Sequence, residues 1–225
     1  MRRGMLFWVT LLCCANLWGQ VARQANSTYT TEASRAGIAA TLGAPDRDKT
    51  QRPEELVAYM GVRPGMAVAD VGTGIGYMLP YLSTAAGPSG KVLAEDIFDD
   101  FLARARNRAR NLANVTFIKG TETDPRLPAS ALDLILVLDV YHHFDYPEKM
   151  LAAFHQALRS DGRLVVVEYY KRHGAMPGGG DRALTHIRID EPDVIRELEA
   201  NGFHVVSKKE QIKDSQYVLI LEKKA

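Results

Sequence analysis

The segment Val68-Ala-Asp70-Val-Gly72-Thr-Gly74-Ile-Gly76-Tyr77 decides how this 225-residue chain is read. A short apolar run, Met66–Val71, enters three glycines spaced G-x-G-x-G and continues towards a helix. Glycine lets the chain turn sharply and brings backbone N–H groups close to a ligand. Dinucleotide-binding turns use G-x-G-x-x-G, which would need a glycine at Tyr77, and no Gly-Lys-Ser/Thr follows, so neither that fingerprint nor a P-loop is present. Asp70 stands two residues before the first glycine. A second acidic pair, Glu95-Asp96, closes the next apolar run, where α/β nucleotide binders hold ribose hydroxyls.

Outward from that turn the pattern alternates. Strands are predicted at Met66–Val71, Lys91–Asp96, Val115–Lys119, Leu132–Asp139, Arg163–Tyr169, His204–Lys208 and Tyr217–Glu222. Runs such as Leu134-Ile-Leu-Val-Leu138 are apolar throughout, as suits strands buried on both faces of a parallel sheet. Helices are predicted from Pro53, with Leu56, Val57 and Met60 as its stripe, and over Phe98–Leu112, Met150–Leu158 and Pro192–Ala200. Arg104, Arg106, Arg108 and Arg110 fall off the Phe98–Leu112 stripe and read as a solvated face. Strands alternating with helices imply an α/β three-layer sandwich.

Composition narrows the function classes. Hydrophobic residues are 46% and charged residues 24%, which is globular, and 28 Lys+Arg against 27 Asp+Glu gives +1, which argues against a nucleic-acid binder. Arg2 and Arg3 precede an apolar run from Met5 to Leu12 that continues less purely to Trp18, so residues 1–19 are expected to be a signal peptide. Export, periplasmic or secreted, follows from that reading; the alternative is an uncleaved membrane anchor, the only membrane contact expected. Without residues 1–19 the chain keeps 26 basic against 27 acidic residues, a charge of −1, and loses Cys13 and Cys14, which excludes a catalytic thiol, an Fe–S cluster or a disulfide. Residues 20–52 are expected to be a polar extension with tether character, and residues 53–225 the domain. Arg47–Pro53 reads either as solvated linker or as a flap over the glycine turn.

These pieces resemble the class I S-adenosylmethionine-dependent methyltransferases, in order along residues 53–225. The matching segments are Val68–Tyr77, Ala86–Ile97, Asp133–Phe144 and Ala157–Glu168, and the chain looks most similar to small bacterial, exported-type members carrying Asp139-Val-Tyr-His-His-Phe144. The resemblance implies a Rossmann-like, seven-stranded, mostly parallel sheet with an antiparallel last strand, and S-adenosyl-L-methionine as cofactor. Carried over by position, Asp70 and the loop Gly72, Thr73, Gly74 and Gly76 meet the methionine moiety. Asp96 holds the ribose hydroxyls, with Glu95 as the register-shifted alternative. Thr121 and Glu122 lie beside the adenine, although Thr121 stands where an acid is common, and Asp139 closes the site at the fourth strand. Asp161 replaces a frequent glycine and is expected in left-handed backbone.

The implied reaction moves an already activated methyl group, so positioning carries most of the work and no catalytic triad is required. Tyr141, His142 and His143 follow the fourth strand at the carboxyl edge; a histidine there is a candidate base, and the competing reading is that the pair caps a helix or packs. Metal-assisted O-methylation through Asp139 and a histidine is a further option, but no second acidic ligand stands at a recognisable metal spacing, so no metal is expected. Lys171–Asp190, with Pro177-Gly-Gly-Gly180, is expected to be a mobile connection in which His186 and Arg188 either line an acceptor pocket or cap a helix. A small-molecule or lipid-like acceptor is expected. The alternatives are an adenosyl-binding module without catalysis and, against the glycine spacing, a nicotinamide oxidoreductase.

Overall fold

The computed structural model describes residues 21–224, and the expected signal segment, residues 1–19, lies outside the described residues. An N-terminal helical segment comes first, with α1 (Arg23–Asn26), α2 (Glu32–Leu42), α3 (Arg47–Gln51) and α4 (Pro53–Met60). The alternating part follows as β1 (Ala67–Val71), α5 (Leu79–Ala86), β2 (Lys91–Asp96), α6 (Asp99–Arg108), β3 (Val115–Lys119) and β4 (Leu132–Leu138). A 3-10 turn, Tyr141–His143, then leads to α7 (Pro147–Ala157), β5 (Leu158–Tyr169), α8 (Arg182–His186), α9 (Glu191–Ala200), β6 (Phe203–Ile212) and β7 (Gln216–Lys223).

All seven strands form one sheet in the order β3-β2-β1-β4-β5-β7-β6. Pairings through β5 are parallel, and β7 runs antiparallel to both β5 and β6. The expected mostly parallel sheet with an antiparallel last strand is what forms. Successive residues of a strand face opposite sides. Val68, Leu134, Leu136, Val165 and Val167 pack with Leu56, Met60 and Leu82 on one face. Their neighbours Ala69, Ile135, Val137, Leu164 and Val166 pack with Leu151, Phe154, Val194 and Leu198 on the other. Each of the larger of these side chains (Val, Leu, Ile, Met or Phe), fully buried, contributes about 1.5–3 kcal/mol of transfer free energy. Strand order reverses between β1 and β4, which opens a crevice at their carboxyl ends.

Three expectations need correction. Residues 21–52 are mostly helical: Thr31 and Ser34 form a reciprocal capping box, and Ala39, Ile38 and Leu42 pack against Ile75, Phe98 and Phe101. The weak pattern arises because this segment lies across the sheet's edge loops and buries little of its own surface. Second, Asp161 is not in left-handed backbone, because Leu158–Gly162 is drawn into β5 with a register shift opposite Leu132 and Leu134. Third, Lys171–Asp190 is not bare loop: it contains α8, and Ala175, Met176, Ala183 and Ile187 bury against Tyr169. Among the described residues no helix is long and apolar enough to cross a membrane.

Candidate active site

A cavity of about 630 Å³ sits in the crevice at the switch point. Its floor is the glycine turn and the strand tips: Asp70, Gly72, Thr73, Gly74, Glu95, Asp96, Thr121, Glu122 and Asp139 all line it. The turn forms here because Gly72, Gly74 and Gly76 have φ of 66°, 56° and 78°, a region costly to residues with a Cβ. Its amides are aimed at carboxylates. Gly72 N donates to Glu95 Oε2 at 3.2 Å and Gly74 N to Asp96 Oδ2 at 2.8 Å. Phe98 N donates to Asp96 Oδ1 at 2.9 Å, and Thr73 Oγ1 to Asp70 Oδ2 at 2.6 Å.

Gly76 is a correction. It does not line the cavity; a Cβ there would stand 2.8 Å from Leu79 Cδ1 and 3.1 Å from Ala105, so the third glycine makes room for helix packing. Of the acceptor-side candidates only His143 reaches the cavity wall. Tyr141 is buried and donates its hydroxyl to Glu197 Oε1 at 2.6 Å, where Arg188 also binds. His142 is buried with its Nδ1 2.6 Å from Glu168 Oε2. The expected pair therefore splits, because the 3-10 turn points successive side chains in different directions.

The cavity's electrostatics follow from burial. Loss of water pushes Asp70 and Asp96 up to about 6 and Asp139, with Glu168 also acting on it, to about 7. Burial and the neighbouring Asp96 hold Glu95 well above the ordinary carboxylate value. Arg47 offsets part of this at Asp70 and Asp139. Glu95 Oε1 is buried without a hydrogen-bond partner among the described residues. Four acids at adjacent strand tips, one with an orphaned oxygen, leave a strong demand for hydroxyl donors and positive charge. An adenosyl sulfonium carries both, so the residues present fit the cofactor implied by the resemblance.

Among the lining residues Asn26, Tyr29 and Arg35 had no sequence signal, whereas Arg47 belongs to the Arg47–Pro53 cluster that read as linker or flap; all four come from the N-terminal helical segment. Arg47 stacks over Tyr77 at 3.9 Å, and Asp48 accepts from Tyr77 and Tyr81 hydroxyls at 2.8 and 2.7 Å, so Arg47–Gln51 folds over the glycine turn. Glu168 had a legible signal: an acid closing the apolar run Leu164–Val167 at the carboxyl edge, like Asp70 and Asp96.

Comparison with known proteins agrees with this geometry. Residues 69–166 match the protein family described as a methyltransferase domain. A ubiquinone/menaquinone biosynthesis C-methyltransferase, UbiE, of Pasteurella multocida is 31% identical over 114 residues, covering 49% of this chain and 42% of that protein. Its counterpart from Cronobacter sakazakii is 32% identical over 114 residues, 49% of this chain and 45% of that protein. The chain thus matches less than half the length of these relatives. A solved S-adenosylmethionine-dependent methyltransferase from Aquifex aeolicus superposes with a TM-score of 0.75 at 27% identity, covering 82% of this chain and 96% of that one.

Proposed function

Because the chain belongs to the class I S-adenosylmethionine-dependent methyltransferases, with S-adenosylmethionine as its cofactor, we propose that it transfers the cofactor's methyl group to a small-molecule acceptor. The observation that carries this reading is the set of carboxylates at the tips of β1, β2 and β4, with Asp70, Glu95 and Asp96 buried and Asp139 half-buried, around one cofactor-sized cavity. When bound, the cofactor supplies an activated methyl group on a sulfonium. Asp96 takes the ribose hydroxyls, Thr121 and Glu122 border the adenine, and Asp70 with Gly72–Gly74 holds the methionine end. Arg47, which lines the cavity, would offer its guanidinium to the cofactor's carboxylate. What the chain adds to the chemistry is alignment and exclusion of water, worth up to about 7–11 kcal/mol for well-oriented reactants.

The acceptor side is the apolar part of the cavity, lined by Tyr29, Phe101, Val140, Phe144 and Met150 together with His143, whose ring lies 4.7 Å from that of Tyr29. That lining suits a largely apolar small molecule with one polar atom directed at His143. Burial and the neighbouring His142 and His186 hold His143 well below its ordinary value, so it meets the acceptor as a neutral imidazole. The division into residues 1–19, 20–52 and 53–225, and export through the first of these, belong to the same proposal and rest on Arg2, Arg3 and the apolar run from Met5; N-terminal sequencing of the fractionated protein tests them. For the activity, full-length protein is titrated with S-adenosylmethionine and with NAD. It is then incubated with methyl-labelled cofactor and an extract of the source cell. Tight binding of the first cofactor alone and label in a small molecule are expected; binding without transfer to any acceptor would instead support a ligand-holding module.

A further inference from the structure

The fold gathers three histidines that the sequence keeps apart. His142 and His143 lie on the turn after β4, and His186 ends α8. The ring centroids stand 4.1 Å apart for His142 and His143, 4.9 Å for His142 and His186, and 5.2 Å for His143 and His186. One coordinating nitrogen from each lies within 4.8 Å of the others.

The hydrogen bonds around the rings fix which nitrogens are available. Glu168 is buried, and its Oε2 also accepts from His142 N at 3.1 Å while Oε1 accepts from Tyr169 N at 2.7 Å. A carboxylate so engaged accepts a hydrogen bond from Nδ1–H of His142, and in that tautomer the neutral ring carries its lone pair on Nε2. Asn26 fixes His143 in the same way. Its Nδ2 donates to His143 O and to Asp145 Oδ2, both at 3.0 Å, so its Oδ1, 2.8 Å from His143 Nδ1, is an acceptor. His143 is therefore also protonated on Nδ1, with its Nε2 lone pair free. Among the described residues no hydrogen bond engages the ring of His186.

Packing alone accounts poorly for this arrangement. Three imidazoles each bring one nitrogen within 4.8 Å of the others, and among the described residues no hydrogen bond joins the rings to satisfy those nitrogens. The backing is the kind that orients metal ligands: a carboxylate behind one ring and an amide oxygen behind another. Neutral imidazole is the form that ligates metal.

We propose that His142, His143 and His186 form a binding site for a borderline divalent cation of the Zn2+ type, with Glu168 and Asn26 positioning His142 and His143. Three imidazoles with a fourth place open is a common zinc arrangement. Zinc–nitrogen bonds of about 2.0–2.1 Å put tetrahedral ligand nitrogens about 3.4 Å apart, so the three must draw together by at most about 1.4 Å. His186, at the end of a short helix and half-exposed, is the ring with room to turn. His143 belongs both to this triad and to the wall of the cofactor cavity, which places the cation beside the acceptor end. The cation site depends on these side chains alone and stands whether or not methyl transfer is found.

The test titrates zinc chloride into chelator-treated full-length protein, with Cys13→Ser and Cys14→Ser introduced so that a thiol pair contributes nothing. One Zn2+ per chain is expected. His186→Ala should weaken it by more than about 100-fold, and Glu168→Gln by about 10–100-fold. Cobalt substitution should give the intense visible absorption of a four-coordinate site, lost in His186→Ala. Binding of S-adenosylmethionine by the His186→Ala protein shows that it is folded; if that is lost, His186→Gln replaces it under the same criterion. No stoichiometric Zn2+ in the parent protein, or undiminished binding in the folded His186 variant, overturns the site.

Discussion

Gln51 and Asp139 join the N-terminal helices to the centre of the sheet: Gln51 Nε2 donates to Asp139 Oδ2 at 3.0 Å. Gln216 Nε2, from β7, donates to the other oxygen at 2.6 Å. Asp139 sits at φ 56°, an uncommon backbone for a residue with a Cβ, held in place by its partners on both sides. One carboxylate thus ties together α3, the tip of β4 and β7. The consequence for function is that α3 has a fixed seat, and Arg47 on it is carried to the cavity.

Arg47→Ala should therefore damage cofactor binding more than folding. Arg47 anchors to Leu42 O at 2.9 Å and to the Tyr77 ring, while Asp48, Gln51 and Pro53 hold the same stretch independently. Loss of one charge-assisted hydrogen bond to a ligand costs about 1.5–3 kcal/mol, or about 10- to 100-fold in Kd. Calorimetric titration with S-adenosylmethionine reads this directly, and an unchanged Kd would remove Arg47 from the site.

Two glycines of one turn should fail in different ways. At Gly74 an added Cβ meets Leu42 Cδ1 at 3.4 Å on the cavity side, so Gly74→Val should abolish cofactor binding and leave the sheet intact by circular dichroism. At Gly76 the same atom runs into Leu79 and Ala105. Gly76→Val should lower stability by about 1–3 kcal/mol or more through overpacking. Equal loss of stability in both variants would contradict the division of roles.

Asp96 and Glu95 are separable by the same titration. Each Asp96 oxygen accepts one backbone N–H and keeps a further lone pair for a ribose hydroxyl. Asp96→Ala should weaken cofactor binding by about 10- to 100-fold, and Glu95→Gln by less than about 10-fold. The opposite ranking would put the ribose on Glu95.

The strand-tip acids also predict a pH dependence. Asp70 and Asp96 rise from 3.8 to about 6 and Asp139 to about 7, mainly through burial. A group that binds its proton more tightly when folded stabilises the protein fully below its unfolded value and loses that contribution as pH rises through the folded value. The ligand-free protein should lose stability between about pH 4 and 7, and the melting-temperature gain from saturating S-adenosylmethionine should grow across that window, because ionised acids then meet a cation. Asp70→Asn should flatten both trends. A ligand-free melting temperature that climbs steadily through the window in wild type and not in Asp70→Asn would reverse the assignment.

The sheet was legible because its strands are apolar on both faces and end in turn residues. Asp70, Glu95, Asp96 and Asp139 were legible because packing alone never calls for an acid at the buried carboxyl tip of such a strand. Arg47 and Gln51 were visible only as part of the polar cluster Arg47–Pro53, which sequence left open between linker and flap, and Asn26 not at all. They lie in a segment with little apolar periodicity, and their partners Tyr77, Asp139 and His143 are remote in sequence, so local pattern does not choose between the two readings. His186 was visible as a residue beside the site, but its neighbours depend on how α8 folds back onto the turn at Tyr141–His143. The two-way reading of that turn, base or packing, was left undecided by sequence because a 3-10 turn sends three successive side chains to three environments.

Tyr141, on that turn, separates structure from chemistry most clearly. Its hydroxyl donates to Glu197 Oε1 at 2.6 Å, and Arg188 Nη1 and Nη2 donate to the same carboxylate at 2.9 and 2.5 Å, so the tyrosine locks the turn after β4 to α9. Burial together with Glu197 holds the phenol well above its ordinary value, which keeps the proton on the oxygen and makes the group a donor. Tyr141→Phe removes that donor and keeps the ring that packs on Phe144 at 5.5 Å. Stability should fall by about 1–3 kcal/mol, the range for a hydrogen bond to a charged group or a buried partner left unmet. Cofactor affinity should be unchanged, because Tyr141 does not line the cavity. Chemical denaturation and cofactor titration of the same preparation measure both, and a variant of full stability with impaired cofactor binding would return Tyr141 to the catalytic candidates.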